Sequence, residues 1–141
     1  MHIHGDSNKD NVCPGLDSDA NHDGVIDTLE GMPHYGGIDA SFTTSGGTAG
    51  GPLPDGLALD RFPVANRGGV VVYQRTITVS DEVANDDGRL HVVVHGADLN
   101  GDGQYDGALS SLNTLLPPGA NVPLEAELPV ACGTLSPLGA R

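Results

Sequence analysis

Two acidic loops and a set of spaced histidines are the parts of this chain with chemistry to offer. Residues 19–30 run Asp19, Ala20, Asn21, His22, Asp23, Gly24, Val25, Ile26, Asp27, Thr28, Leu29, Glu30. Asp19, Asn21 and Asp23 place side-chain oxygens at positions 1, 3 and 5 of a twelve-residue calcium loop. Gly24 supplies the sharp turn at 6, Val25 a carbonyl at 7, Asp27 a ligand at 9 and Glu30 a closing bidentate carboxylate at 12. A second loop offers Asp98, Asn100, Asp102, Gln104 (through its carbonyl) and Asp106 at positions 1, 3, 5, 7 and 9. Its twelfth residue is Leu109, which cannot ligate, so a carboxylate must come from elsewhere or the site is weaker and wetter. Asn85, Asp86, Asp87 and Gly88 read as a turn and not as a third ion site.

The histidines call for transition-metal chemistry instead. His2 and His4 are two residues apart, so on a strand they share a face with Cα atoms roughly 6.6–6.8 Å apart. That spacing suits convergence on one metal, and an ordinary polar strand end is the alternative. His91 and His95 alternate with Leu90, Val92 and Val94, which predicts a half-buried strand carrying imidazoles on one face. That strand runs almost directly into the second acidic loop.

The elements that must position these groups are short. Long helical periodicity is absent, and β-branched runs are separated by clusters of Gly, Asp, Asn and Pro, which predicts an all-β fold in a single domain over residues 1–141. With 21 Gly, 10 Pro, 2 Phe, 3 Tyr and no Trp, packing falls to Val, Leu, Ile and Ala. Strands are expected at 38–44, at 69–79, at 90–95 and at 123–132, with a flexible loop at 45–56. No pair of long helices flanks residues 19–30, and Pro33 follows closely, so the first loop reads as an insertion in a β-protein and a structural site.

Nineteen acidic residues against six basic give a formal charge of −13, which argues against nucleic acid or an anionic membrane as partner. Nothing approaches the roughly 20 apolar residues of a membrane span, and the first residues lack the pattern of a signal peptide. Cys13 and Cys132 form an even pair which, with calcium loops, points to a secreted or extracellular setting. A disulfide between them would close a loop of more than a hundred residues, and two unpaired thiols are the alternative.

The order of these residues resembles the copper/zinc superoxide dismutase fold family. The parallel runs from His2-x-His4 through Cys13 and His34-Tyr35 to His95 at the end of a Val-rich strand, and then to Cys132 before Gly133. Chordin-type domains, and secreted bacterial relatives of that kind with acidic calcium loops, are similar too. The resemblance implies a Greek-key β-barrel or sandwich with EF-hand-like calcium loops, which lacks the first strands before the His-x-His segment. It implies copper on His2, His4, His34 and His95, with His34 as the metal-bridging histidine and a proton donor in catalysis, and a Cys13–Cys132 disulfide. It leaves His91 outside the ligand set.

Three features depart from the family pattern. Residues 36–60 hold no histidine, so zinc is not expected. The arginine that guides substrate just before the second cysteine is replaced by Leu128, Pro129, Val130 and Ala131. A net charge of −13 repels an anion such as superoxide. Two functions are therefore expected to compete. One is a secreted, calcium-stabilised, copper-only enzyme of the superoxide dismutase type. The other is a non-catalytic calcium-binding extracellular module. The missing strands predict a homo-oligomer or a strand-donating partner.

Overall fold

The computed structural model describes residues 1–6, 12–51, 56–86 and 89–136. Its centre is one antiparallel sheet of four strands. β1 (His2–Gly5) lies between β2 (Gly37–Ser41) and β3 (His91–His95), and β4 (Pro129–Thr134) lies outside β3, giving the order β2-β1-β3-β4. Among the described residues, three short α-helices interrupt the chain: α1 (Thr28–Tyr35), α2 (Asp81–Asn85) and α3 (Leu124–Glu127). The fold is thus mostly β, as the turn-rich sequence requires. Among the described residues, no helix is long and apolar enough to cross a membrane.

The register sorts the side chains. His2 lies opposite Val93 and His4 opposite His91, so His2, His4, His91, Val93 and His95 share one face. Ile3, opposite Ala40 and Val92, points the other way. There it packs with Ala40, Leu90 and Val83 of α2, and Phe42, Ile77 and Val79 close over them. Hydrocarbon therefore collects under one face of β1, and imidazole under the other. A bulge between Ile3 and His4 skips Asp39 and keeps Ile38 on the histidine face.

The disulfide Cys13–Cys132, with Cα atoms 5.6 Å apart, ties edge strand β4 to the segment before the first acidic loop. It spans 119 residues of sequence, so in the chain-entropy account it removes about 5 kcal/mol of freedom from the unfolded chain.

Four local expectations change. Within the run 69–79, residues 70–79 alternate strictly between exposed and half-buried side chains, as an extended chain does, but the run joins no ladder. The run 123–132 is not one strand: Pro123 starts helix α3, and β4 begins only at Pro129. The reason is that Glu125 and Glu127, which a strand would send to solvent, are buried as hydrogen-bond acceptors. A helix does follow the first acidic loop, because Asp27 and Glu30 form a capping box that starts α1 despite Pro33 inside it. Finally, the acidic run 81–88 reads as turn chemistry in the sequence, yet it opens with a helix: Ser80 caps α2 by accepting from the Val83 amide. Asp87 and Gly88 of the expected 85–88 turn, and residues 52–55 of the expected 45–56 loop, lie outside the described residues.

Candidate metal centre and its supporting loops

β1 and β3 deliver three imidazoles to one point. His2 and His4 are 4 % and 3 % exposed, and His95 is partly buried. Their ring centroids lie 5.4 Å (His2–His4), 5.1 Å (His2–His95) and 5.7 Å (His4–His95) apart. One nitrogen from each ring falls within 4.8 Å of the others.

The outer nitrogens are committed. His2 Nε2 donates to the Gly56 carbonyl at 3.2 Å, His4 Nδ1 to the Gly36 carbonyl at 3.2 Å, and His95 Nδ1 to the Glu127 carbonyl at 2.7 Å. A carbonyl can only accept, so each of these nitrogens carries the proton of its neutral ring. The tautomers follow. His2 Nδ1, His4 Nε2 and His95 Nε2 are left as lone pairs, buried and without a hydrogen-bond partner. Three buried acceptors facing one another carry an uncompensated desolvation cost. A soft or borderline cation is the partner that this donor set fits. Three nitrogens on one ion at about 2.0–2.1 Å lie at most about 4.2 Å apart, so a separation within 4.8 Å needs only a small inward shift.

The surroundings keep the rings neutral. Burial lowers the pKa of His2 to about 2, with the nearby His95 adding to the effect, lowers that of His4 to about 3, and lowers that of His95 to about 4. Phe62 stands edge-on against His2 at 4.9 Å, and Tyr35 lies 4.7 Å from His4 and 6.5 Å from His95. Tyr35 is fully buried, and burial raises its pKa well above the usual phenol range. It takes the space over Gly31, where a Cβ would come within 2.5 Å of its ring. No local pattern signals this packing role: its only trace is that Tyr35 follows His34.

His34 and His91 stand apart from the three rings. His34, on α1, meets Ser18 Oγ at 3.0 Å through Nε2, and it is Tyr35, the next residue, that packs on the cluster. His91 is fully buried and meets Thr134 Oγ1 at 3.1 Å.

The acidic loops are folded alike. In the first, Asp19 accepts from the amides of Asp23 and Gly24, Asn21 from Asp23, and Asp23 from Val25. In the second, Asp98 accepts from Asp102 and Gly103, Asn100 from Asp102, and Asp102 from Gln104. Gly24 and Gly103 both take positive φ (90° and 83°), as does position 4 of each loop, where His22 (60°) matches Gly101 (79°). Asp27, expected at position 9 directly or through water, accepts through its carboxylate from the Glu30 amide and from Ser111 Oγ, as a helix cap.

The loops close with different residues in the same geometry. Glu30 accepts from Ala20 through Oε1 and from Asp27 through Oε2, the amides at positions 2 and 9. In the second loop those positions are Leu99 and Asp106, and their amides donate to Oε1 and Oε2 of Glu125 at 2.8 and 2.9 Å. Leu109, at position 12, instead forms a bridge with Pro123, and Leu124 N donates to the Ala108 carbonyl. This contact brings α3, and with it Glu125, to the end of the loop. The carboxylate missing from the local sequence arrives from 19 residues beyond Asp106.

α3 joins the two systems. Its Glu125 closes the second loop, its Glu127 carboxylate accepts from the Thr28 amide at the start of α1, and its Glu127 carbonyl holds His95. Compared with family models, curated proteins and solved structures, the chain finds no match.

Proposed function

We propose that the chain is a secreted, copper-binding β-protein of the superoxide dismutase type, with His2, His4 and His95 as the copper ligands and calcium in the two acidic loops. The observation that carries this reading is the set of three buried lone pairs, each fixed by a carbonyl behind its ring. Such outer hydrogen bonds orient metal-binding imidazoles and raise their basicity. Copper, when bound, would supply one-electron chemistry between Cu(II) and Cu(I). The chain's own residues do the rest. The carbonyls of Gly56, Gly36 and Glu127 hold the rings, Phe62 and Tyr35 screen two of them, and the disulfide and the loops fix the sheet. The Greek-key arrangement belongs to the same proposal, and the antiparallel four-stranded sheet supports it.

In this reading His34 lies outside the copper ligands, and Glu125 completes the second calcium site. A charge of −13 and the absence of an arginine just before Cys132 favour a centre that binds copper over one that turns over superoxide rapidly. The matched closure of the loops by Glu30 and Glu125 favours a second reading, a calcium-stabilised extracellular module without catalysis. Titration of the metal-free protein with Cu(II), followed by a superoxide-consumption assay, separates the two. One tight copper per chain with consumption lost in His4→Ala supports the enzyme. Copper binding without consumption leaves the module.

A further inference from the structure

The run 70–79 is a strand without a sheet. Val71, Tyr73, Arg75, Ile77 and Val79 are half-buried, and the residues between them are exposed. The inner row is anchored: Tyr73 stacks on Phe42 at 5.3 Å, Arg75 donates to the carbonyls of Thr43 and Gly46, and Ile77 and Val79 pack on the core. The segment therefore lies as a second layer over β1 and β2. Among the described residues, no backbone-to-backbone hydrogen bond reaches residues 71–79. A β-branched segment of this length with open edges is a template for another strand.

We propose that this segment pairs with the same segment of a second copy of the chain, antiparallel across a two-fold axis. Two features select a second copy. The outer row (Val70, Val72, Gln74, Thr76, Thr78) carries no charge in a chain of net charge −13, so two copies meet without like charges at the seam. The segment is also self-complementary. Centring the pairing on Gln74 sets Val72 opposite Thr76 and Val71 opposite Ile77, and places the two Gln74 side chains against each other on the axis. Centring on Arg75 instead would oppose two guanidinium groups. Opposed residues share a face, so both bodies lie on the same side, and Val72, 88 % exposed in the single chain, gains a cross-strand neighbour.

The test is sedimentation equilibrium of the full chain, with amide hydrogen exchange measured across the same concentrations. Pairing predicts a dimer whose amides at 71–79 become protected as the dimer forms. Thr76→Pro, which removes one amide from each copy at an exposed position, should weaken the dimer by about tenfold or more. Gln74→Asp, which opposes two carboxylates on the axis, should weaken it too, and Gln74→Asn should not. A monomer at every concentration overturns the proposal, whether its amides at 71–79 exchange freely or are protected by its own chain. A dimer whose 71–79 amides stay unprotected, or which ignores both Thr76→Pro and Gln74→Asp, places the interface elsewhere and overturns it as well.

Discussion

Acid should weaken the metal-free protein well before carboxylates begin to protonate in the unfolded chain. His2, His4 and His95 have folded-state pKa values of about 2, 3 and 4 because they are buried side by side. Unfolded, each returns to about 6.5. A histidine depressed in this way contributes stability that is complete above the unfolded value. That stability is lost as the pH falls toward the folded value, because the unfolded chain takes up a proton that the folded one refuses. Between pH 7.5 and 6.0 each ring costs about 0.8 kcal/mol, so the three together cost about 2–2.5 kcal/mol. Asp39 runs the other way. Burial raises its pKa to about 6, with Glu82 adding to the effect, so folding gains about 0.4 kcal/mol or less over the same window. Burial also raises Glu127, in the same stabilising direction as the pH falls. The Met1 amine adds to the loss: burial lowers its pKa from 8.0 to about 6, which costs about 1.5 kcal/mol over this window, so the net expectation is a loss of about 3–3.5 kcal/mol, a large share of the stability of a domain this size. Urea unfolding of chelator-treated protein at pH 7.5, 6.75 and 6.0, with the disulfide intact, measures it. Replacing His4 with Leu should remove about a quarter of the slope. A stability that stays flat over this window, or a slope that His4→Leu leaves unchanged, would refute the claim that the rings are held neutral by burial.

Three further expectations follow from other contacts. Cys13→Ser with Cys132→Ser should cost about 5 kcal/mol, seen as a large fall in the urea midpoint, with oxidised and reduced wild type differing by a similar amount. Calorimetric calcium titration should find two sites. Glu30→Gln should weaken one and Glu125→Gln the other, each by roughly tenfold or more, and Glu125→Gln without effect would return the second loop to solvent closure. Gly31→Ala places a Cβ within 2.5 Å of the Tyr35 ring, so it should push Tyr35 against His4 and lower both melting temperature and Cu(II) affinity, while Gly47→Ala, in open space, should lower neither.

What could be read from the sequence was local. His-x-His needs only the two-residue period of β1, and the alternation through Val92 and Val94 fixes which residues of β3 share its face. The two acidic loops turn alike because their Asp/Asn/Gly spacing is written within a dozen residues. What escaped depends on distant partners. Glu125 reaches the second loop through the Leu109–Pro123 bridge, which no local pattern announces. The alternation of Leu124, Ala126 and Leu128 suits a strand, yet burying Glu125 and Glu127 as acceptors requires a helical turn. The 69–79 run has the composition of a strand, and a strand is assigned only by its pairing. Tyr35 was hidden because its role comes from the Gly31 gap one turn earlier in α1.

The proposed copper centre requires His2, His4 and His95 to converge on one ion. Electron paramagnetic resonance of the protein loaded with one equivalent of Cu(II) reads that convergence. A single species with hyperfine structure from three imidazole nitrogens is expected, lost on changing any one of the three histidines to Ala and retained in His34→Ala and His91→Ala. A spectrum that keeps its nitrogen pattern in His95→Ala, or loses it in His34→Ala, would contradict the assignment.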